Sequence, residues 1–163
     1  MTETIIILTE EPLTAVDVAN ITDLYSAEDD VELVLIVPAD TRRNLFVDVI
    51  DQLTMLDLPG ALREFREKPD AETVMTEAKD ILSMSMHALH AAGAKATGSV
   101  DEGDAVASLV AKVTELGARQ AVVVTRPHAV ADTFRQDWAN QAQRKLGLPV
   151  LHLYSGSGFI GDS

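Results

Sequence analysis

The chain has 163 residues, enough for one ordinary domain with a buried core and short for two. Apolar residues make up 47% of it and charged residues 24%, the balance of a folded globular protein rather than a disordered one. The net charge of −13, with no Lys or Arg before Arg42, argues against nucleic acid as a partner, because such binding depends on clustered basic residues.

Cysteine is absent, which removes disulfides, thiolate catalysis and cysteine-ligated metals together. No apolar run approaches the roughly 20 residues of a membrane span, and the acidic start is unlike the basic start of a signal peptide. A cytoplasmic protein with no membrane partner is the expectation.

In chain order, "TETIIILTE" contains four consecutive aliphatic residues, Ile5 to Leu8, the texture of a strand covered on both faces. The segment "VELVLIVP", 31 to 38, repeats it. "TRRNLFVDVIDQLTMLD" reads as a helix, and "LPGALREFREKP" after it, around 57 to 69, as an excursion leading to a longer helix. That helix, "DAETVMTEAKDILSMSMHALHAAG", carries Val74, Ala78, Ile81, Leu82, Leu89 and Ala92 at helical spacing, with Gly93 as its stop. A weaker strand, "AKATGSV", belongs near a sheet edge, since Gly and Thr leave it little to bury.

"DAVASLVAKVTELG" repeats the helical design with Val106, Leu109, Val110, Val113 and Leu116, Asp104 as a cap and Gly117 as the stop. "QAVVVT", 120 to 125, is again a buried strand. After the turn that follows, Val130, Phe134, Trp138, Ala142 and Leu146 recur every fourth residue as one helical stripe, which assigns Trp138 to the core. The last strand is "PVLHLY", 149 to 154, followed by a flexible tail, "SGSGFIGDS". Strands alternating with helices imply right-handed crossovers and a parallel sheet in a single domain over 1–154, with the tail over 155–163.

The passage "HALHAAGAKATGSVDEGDAVASLVAKVTELGARQAVVVT", followed after one helix by "LGLPVLHLY", resembles the universal stress protein family. The resemblance implies an α/β fold: an open five-stranded parallel sheet in the order 3-2-1-4-5 with helices on both faces. It also implies a homodimer joined through the last strand, here Pro149 to Tyr154. That strand has a physical reason to pair, because an edge strand presents unpaired backbone groups and a second copy removes the liability.

Nucleotide-binding members of that family carry glycines after the fourth strand, where backbone N–H groups approach phosphates that a Cβ would obstruct. The corresponding stretch here, Thr125 to Asn140, has no glycine, and Pro127 removes a further N–H donor. The family's acid after the first strand is matched by Glu10 or Glu11 outside its usual context, and Val37 stands where a backbone group meets adenine. The resemblance therefore implies a degenerate nucleotide pocket and no cofactor, with ATP or AMP as the alternative.

In this strand order the sheet reverses direction between strands one and four, so Thr9, Glu10, Thr125, Arg126 and His128 are expected to converge at the switch-point crevice, with Val37 beside them. Arg126 and His128 can clamp a small anion or an adenine nucleotide with side chains in place of glycines. Alternatively, Arg126 pairs with Glu10 or Glu11 and closes the crevice.

The remaining motifs carry less. "GSGFIG", Gly156 to Gly161, matches a dinucleotide fingerprint in letters but has no following helix to receive a pyrophosphate. His87 and His90 share a helix face near Met84 without further ligands, and Asp101, Glu102 and Asp104 sit where acids cap a helix rather than at calcium-loop spacing. There is no nucleophile elbow and no P-loop, so no catalytic residue and no metal are assigned. The leading reading is a noncatalytic, dimeric regulatory protein, and the alternative is a small-anion or adenine-nucleotide binder using the 125–128 turn. An enzyme using Glu10 and His128 as an acid-base pair is a third reading.

Overall fold

The computed structural model describes residues 2–39, 71–103, 105–125, 143–156 and 160–161. Its strands are β1 (Glu3–Thr9), β2 (Val31–Ala39), β3 (Lys95–Glu102), β4 (Gln120–Thr125), β5 (Val150–Tyr154) and β6 (Ile160–Gly161). Between them lie α1 (Ala15–Thr22), α2 (Ala71–Ala91) and α3 (Ala105–Leu116). The expectations for the helix after Thr41, the excursion, the Asp104 cap and the stripe through Trp138 fall outside the described residues.

The strands form one sheet in the order β3-β2-β1-β4-β5-β6. β1 to β5 are all parallel, in the expected order 3-2-1-4-5. β6 adds a sixth, antiparallel strand of two residues beside β5, so β5 is not the bare sheet edge expected from sequence. The edge position expected for "AKATGSV" is where β3 lies, paired with β2.

Strand alternation explains why the central strands are aliphatic without interruption. Ile5, Ile7, Leu33, Leu35, Val122 and Val124 pack toward α1 and α2. Ile6, Leu8, Ile36, Ala121 and Val123 pack on the other face toward α3 and toward Leu146 and Leu148. Burying each large aliphatic side chain contributes about 1.5–3 kcal/mol.

Both described long helices stop where the sequence places glycine. The Gly93 N–H donates to the His90 carbonyl and the Ala94 N–H to that of Leu89, with Gly93 at φ 80°. This closes α2 with a Schellman motif. Gly117, at φ 61°, ends α3 in the same way, with the Ala118 N–H donating to the Val113 carbonyl. Two stripe residues differ from expectation: Ala92 lies in the turn beyond α2 and is exposed, and Leu116, in the last turn of α3, is 41% exposed. The apolar pattern runs slightly past the end of the sheet that it covers.

Gly98 has a packing reason. A Cβ there would stand 2.7 Å from Leu82 Cδ1, 3.1 Å from Met86 Sδ and 3.2 Å from Leu35 Cβ. Glycine thus lets α2 approach the edge strand closely.

Candidate functional site at the sheet switch point

The carboxyl ends of β1 and β4 meet where the sheet order reverses, which is where open α/β sheets place ligands. Thr9 pairs in register with Val124, and the Glu10 N–H donates to the Val124 carbonyl at 3.3 Å. Leu8 pairs with Ile36 on the other side, which brings Val37 to the same end of the sheet. Thr9, Glu10, Val37 and Thr125 therefore gather at one end. Arg126 and His128 lie outside the described residues.

Alternation then divides the gathered residues. Val37 belongs to the cluster under α1 and α2, and Thr9 follows Ile5 and Ile7 onto that face. Thr125 follows Ala121 and Val123 onto the α3 face. Thr9, Val37 and Thr125 are fully buried, whereas Glu10 is half-buried.

The buried hydroxyls have internal partners. Thr9 Oγ1 donates to the Glu11 carbonyl at 2.7 Å and accepts from the Glu11 N–H at 3.3 Å, which folds the chain sharply after β1. Thr125 Oγ1 lies 2.7 Å from His152 Nε2, and both residues are completely buried. The His152 ring in turn stacks at a tilt on Tyr154, with centroids 4.8 Å apart.

Two further polar residues near this end were not singled out from sequence. Asp17 is fully buried in the first turn of α1, where it forms a capping box with Thr14. Its Oδ2 accepts from the Thr14 N–H and hydroxyl, each at 2.9 Å, and its Oδ1 accepts from the Gly156 N–H at 2.9 Å. The Ser155 hydroxyl is 3.5 Å from Oδ2, and the Ser155 N–H donates to the Thr125 carbonyl at 2.7 Å. The turn after β5 is thereby fixed to both β4 and α1. Ser85 interrupts the apolar stripe of α2 between Leu82 and Leu89. Its buried hydroxyl accepts from the Leu13 N–H at 3.0 Å and so docks the β1–α1 connection on α2.

The local cue for α1 was Thr14-x-x-Asp17 followed by Val18 and Ile21. Nothing local marks the Gly156 partner, which lies 139 residues away.

Elsewhere, His87 and His90 are both exposed, and His90 Nε2 lies 3.1 Å from the Ala96 carbonyl on the edge strand. Among the described residues no cluster of three or more His, Asp and Glu could hold a metal ion, and no helix is long and apolar enough to cross a membrane. A surface cavity of about 620 Å³ lies at the opposite end of the sheet, against Tyr25, Asp29, Asp30, Val31, Gly93 and Lys95. Burial raises the Tyr25 phenol above its ordinary pKa there.

The fold and the strand order define a doubly wound α/β domain with its switch point between β1 and β4. Solved structures narrow this to the universal stress protein fold. The chain is similar to hypothetical protein PH0823, at 14% identity and TM-score 0.57, over 94% of this chain and 95% of that one. It is similar to a universal stress protein family protein from Arabidopsis thaliana solved with AMP bound, at 12% identity and TM-score 0.53, over 94% and 93%. It is similar to hypothetical protein MJ0577, at 14% identity and TM-score 0.50, over 95% and 97%. No protein-family model matches the chain, and no curated protein matches it.

Proposed function

We propose that this chain is a noncatalytic, cytoplasmic regulatory protein of the universal stress type, acting in stress response as a homodimer joined through β5. Its nucleotide pocket is degenerate. The observation that carries this reading is the internal use of the polar groups at the strand ends, Thr9 on Glu11 and Thr125 on His152, with Asp17 committed to Thr14 and Gly156. With no glycine between Thr125 and Asn140, a phosphate also lacks the close backbone approach it ordinarily needs.

The second reading is a binder of a small anion or adenine nucleotide through Arg126 and His128. It is favoured by one observation: the Arabidopsis protein with this fold was solved with AMP bound.

Calorimetric titration of the folded protein with AMP, ADP and ATP, with and without magnesium, separates the two. No heat with any of them is the expected result. Saturable binding that Arg126→Ala weakens by about 2 kcal/mol, the scale of a charge-assisted hydrogen bond, would establish the second reading instead. A sedimentation mass equal to one chain at all accessible concentrations would remove the dimer.

A further inference from the structure

β5 is bounded on one side by β4 and on the other by β6. The backbone groups of alternate residues in a strand point to opposite sides. The Pro149 carbonyl accepts from the Ala121 N–H, and the Ser155 N–H donates to the Thr125 carbonyl, so odd-numbered residues of this strand face β4. Val150, His152 and Tyr154 therefore direct their N–H and C=O groups to the outer side. There β6 lies antiparallel, with Gly161 opposite His152 and Ile160 opposite Leu153.

His152 is the middle of the three outward-facing residues. An antiparallel pairing of β5 with a second β5 about a two-fold axis would centre on His152, placing Val150 of each copy opposite Tyr154 of the other. β6 has the same antiparallel sense and occupies the same central position, but it is only two residues long. We propose that β6 is an intramolecular stand-in for a second copy of the chain, so that the tail strand and the partner's β5 compete for one sheet edge.

Two paired residues form a weak ladder, and tethering makes it effective by supplying a high local concentration. A second copy offers all three outward residues and wins as protein concentration rises. The tail thus sets the concentration at which the chain dimerises. This inference rests on the reading that dimerisation uses β5.

The test is sedimentation equilibrium on three chains: the full sequence, a chain ending at Gly156, and the full-length Gly161→Pro variant. Proline at 161 removes the N–H that a ladder partner of His152 must donate, while keeping chain length and net charge. Both altered chains are expected to dimerise about tenfold more tightly than the full chain. Equal dimer affinity in all three would overturn the competition and leave β5 dimerisation standing. Weaker dimerisation without the tail would overturn it too, placing the tail within the interface. Monomers throughout would remove both readings.

Discussion

Asp17 and Gly156 are joined by a 2.9 Å hydrogen bond from the Gly156 N–H to a carboxylate that has no exposure to solvent. One side chain therefore closes the first turn of α1 and anchors the turn that leaves β5. Buried hydrogen bonds to a charged group contribute about 1.5–3 kcal/mol each, and an N-cap about 1 kcal/mol. Asp17→Ala is expected to lower unfolding free energy by about 3 kcal/mol or more in urea, and Thr14→Ala by about 1 kcal/mol. Hydrogen exchange distinguishes the two roles, because Asp17→Ala should deprotect the Gly156 amide and Thr14→Ala should spare it.

Gly98, in β3, packs directly under Leu82 and Met86 of α2. Gly98→Ala drives a methyl group against Leu82 and Met86, and overpacking of this kind costs about 1–3 kcal/mol. The Leu82 and Met86 side chains can shift, but Leu35 Cβ, 3.2 Å away, is fixed to the backbone of β2, so a cost within that range is expected. Adding Leu82→Ala should relieve the strain. A double-mutant cycle measured by urea unfolding should return a coupling that makes the pair less harmful than the sum of its members.

Thr125 and His152 form a buried polar pair at the end of β4. Thr125→Val keeps the shape but removes the hydroxyl, leaving a buried ring nitrogen without that partner, and should cost about 1–3 kcal/mol. Thr125→Ser should restore most of it. If Thr125 instead served a ligand, stability would be unaffected and only nucleotide titration heats would change.

Lys95 and Asp30 bridge the starts of β3 and β2 with a 2.7 Å ion pair. The hydrogen bond from Lys95, then that from Thr2, holds the Asp30 carboxyl below its ordinary pKa, and Asp30 raises the Lys95 ammonium above its own. A depressed acid stabilises above its unfolded pKa and loses the effect as pH falls through the folded one. A raised base stabilises below its unfolded pKa and loses the effect as pH rises through the folded one. The pair should thus contribute between about pH 4 and pH 10.5, the ordinary values of the two groups. Stability profiles of the parent and Lys95→Met should converge at both extremes and, because the pair is exposed, approach each other at high salt.

Much of the sheet was legible because its central strands are buried on both faces. Ile5 to Leu8 and Val122 to Val124 are aliphatic without a break, a pattern that few other environments tolerate. Gly93 and Gly117 marked the helix ends because only their backbone conformation was needed there. α1 was less visible: Val16 is 44% exposed, so the apolar stripe of that short helix reduces to Val18 and Ile21. The site was legible only as a place. Strand order brings Thr9, Glu10, Val37 and Thr125 to one end, but which face each hydroxyl meets, and that Asp17 reaches Gly156, depend on packing between segments far apart in sequence. No local pattern carries that information.

The position of β1 in the middle of the sheet has a consequence for how the molecule comes into being. Its first partner, β2, follows it early in the chain, whereas its other flank waits for β4. Arg119, next to β4, pairs with Glu3 across 116 residues of chain. During synthesis the edge of β1 that β4 covers in the finished sheet has its backbone N–H and C=O groups unpaired until residues 120–125 emerge. That uncovered edge is a place where chaperone binding and misassociation are expected during synthesis.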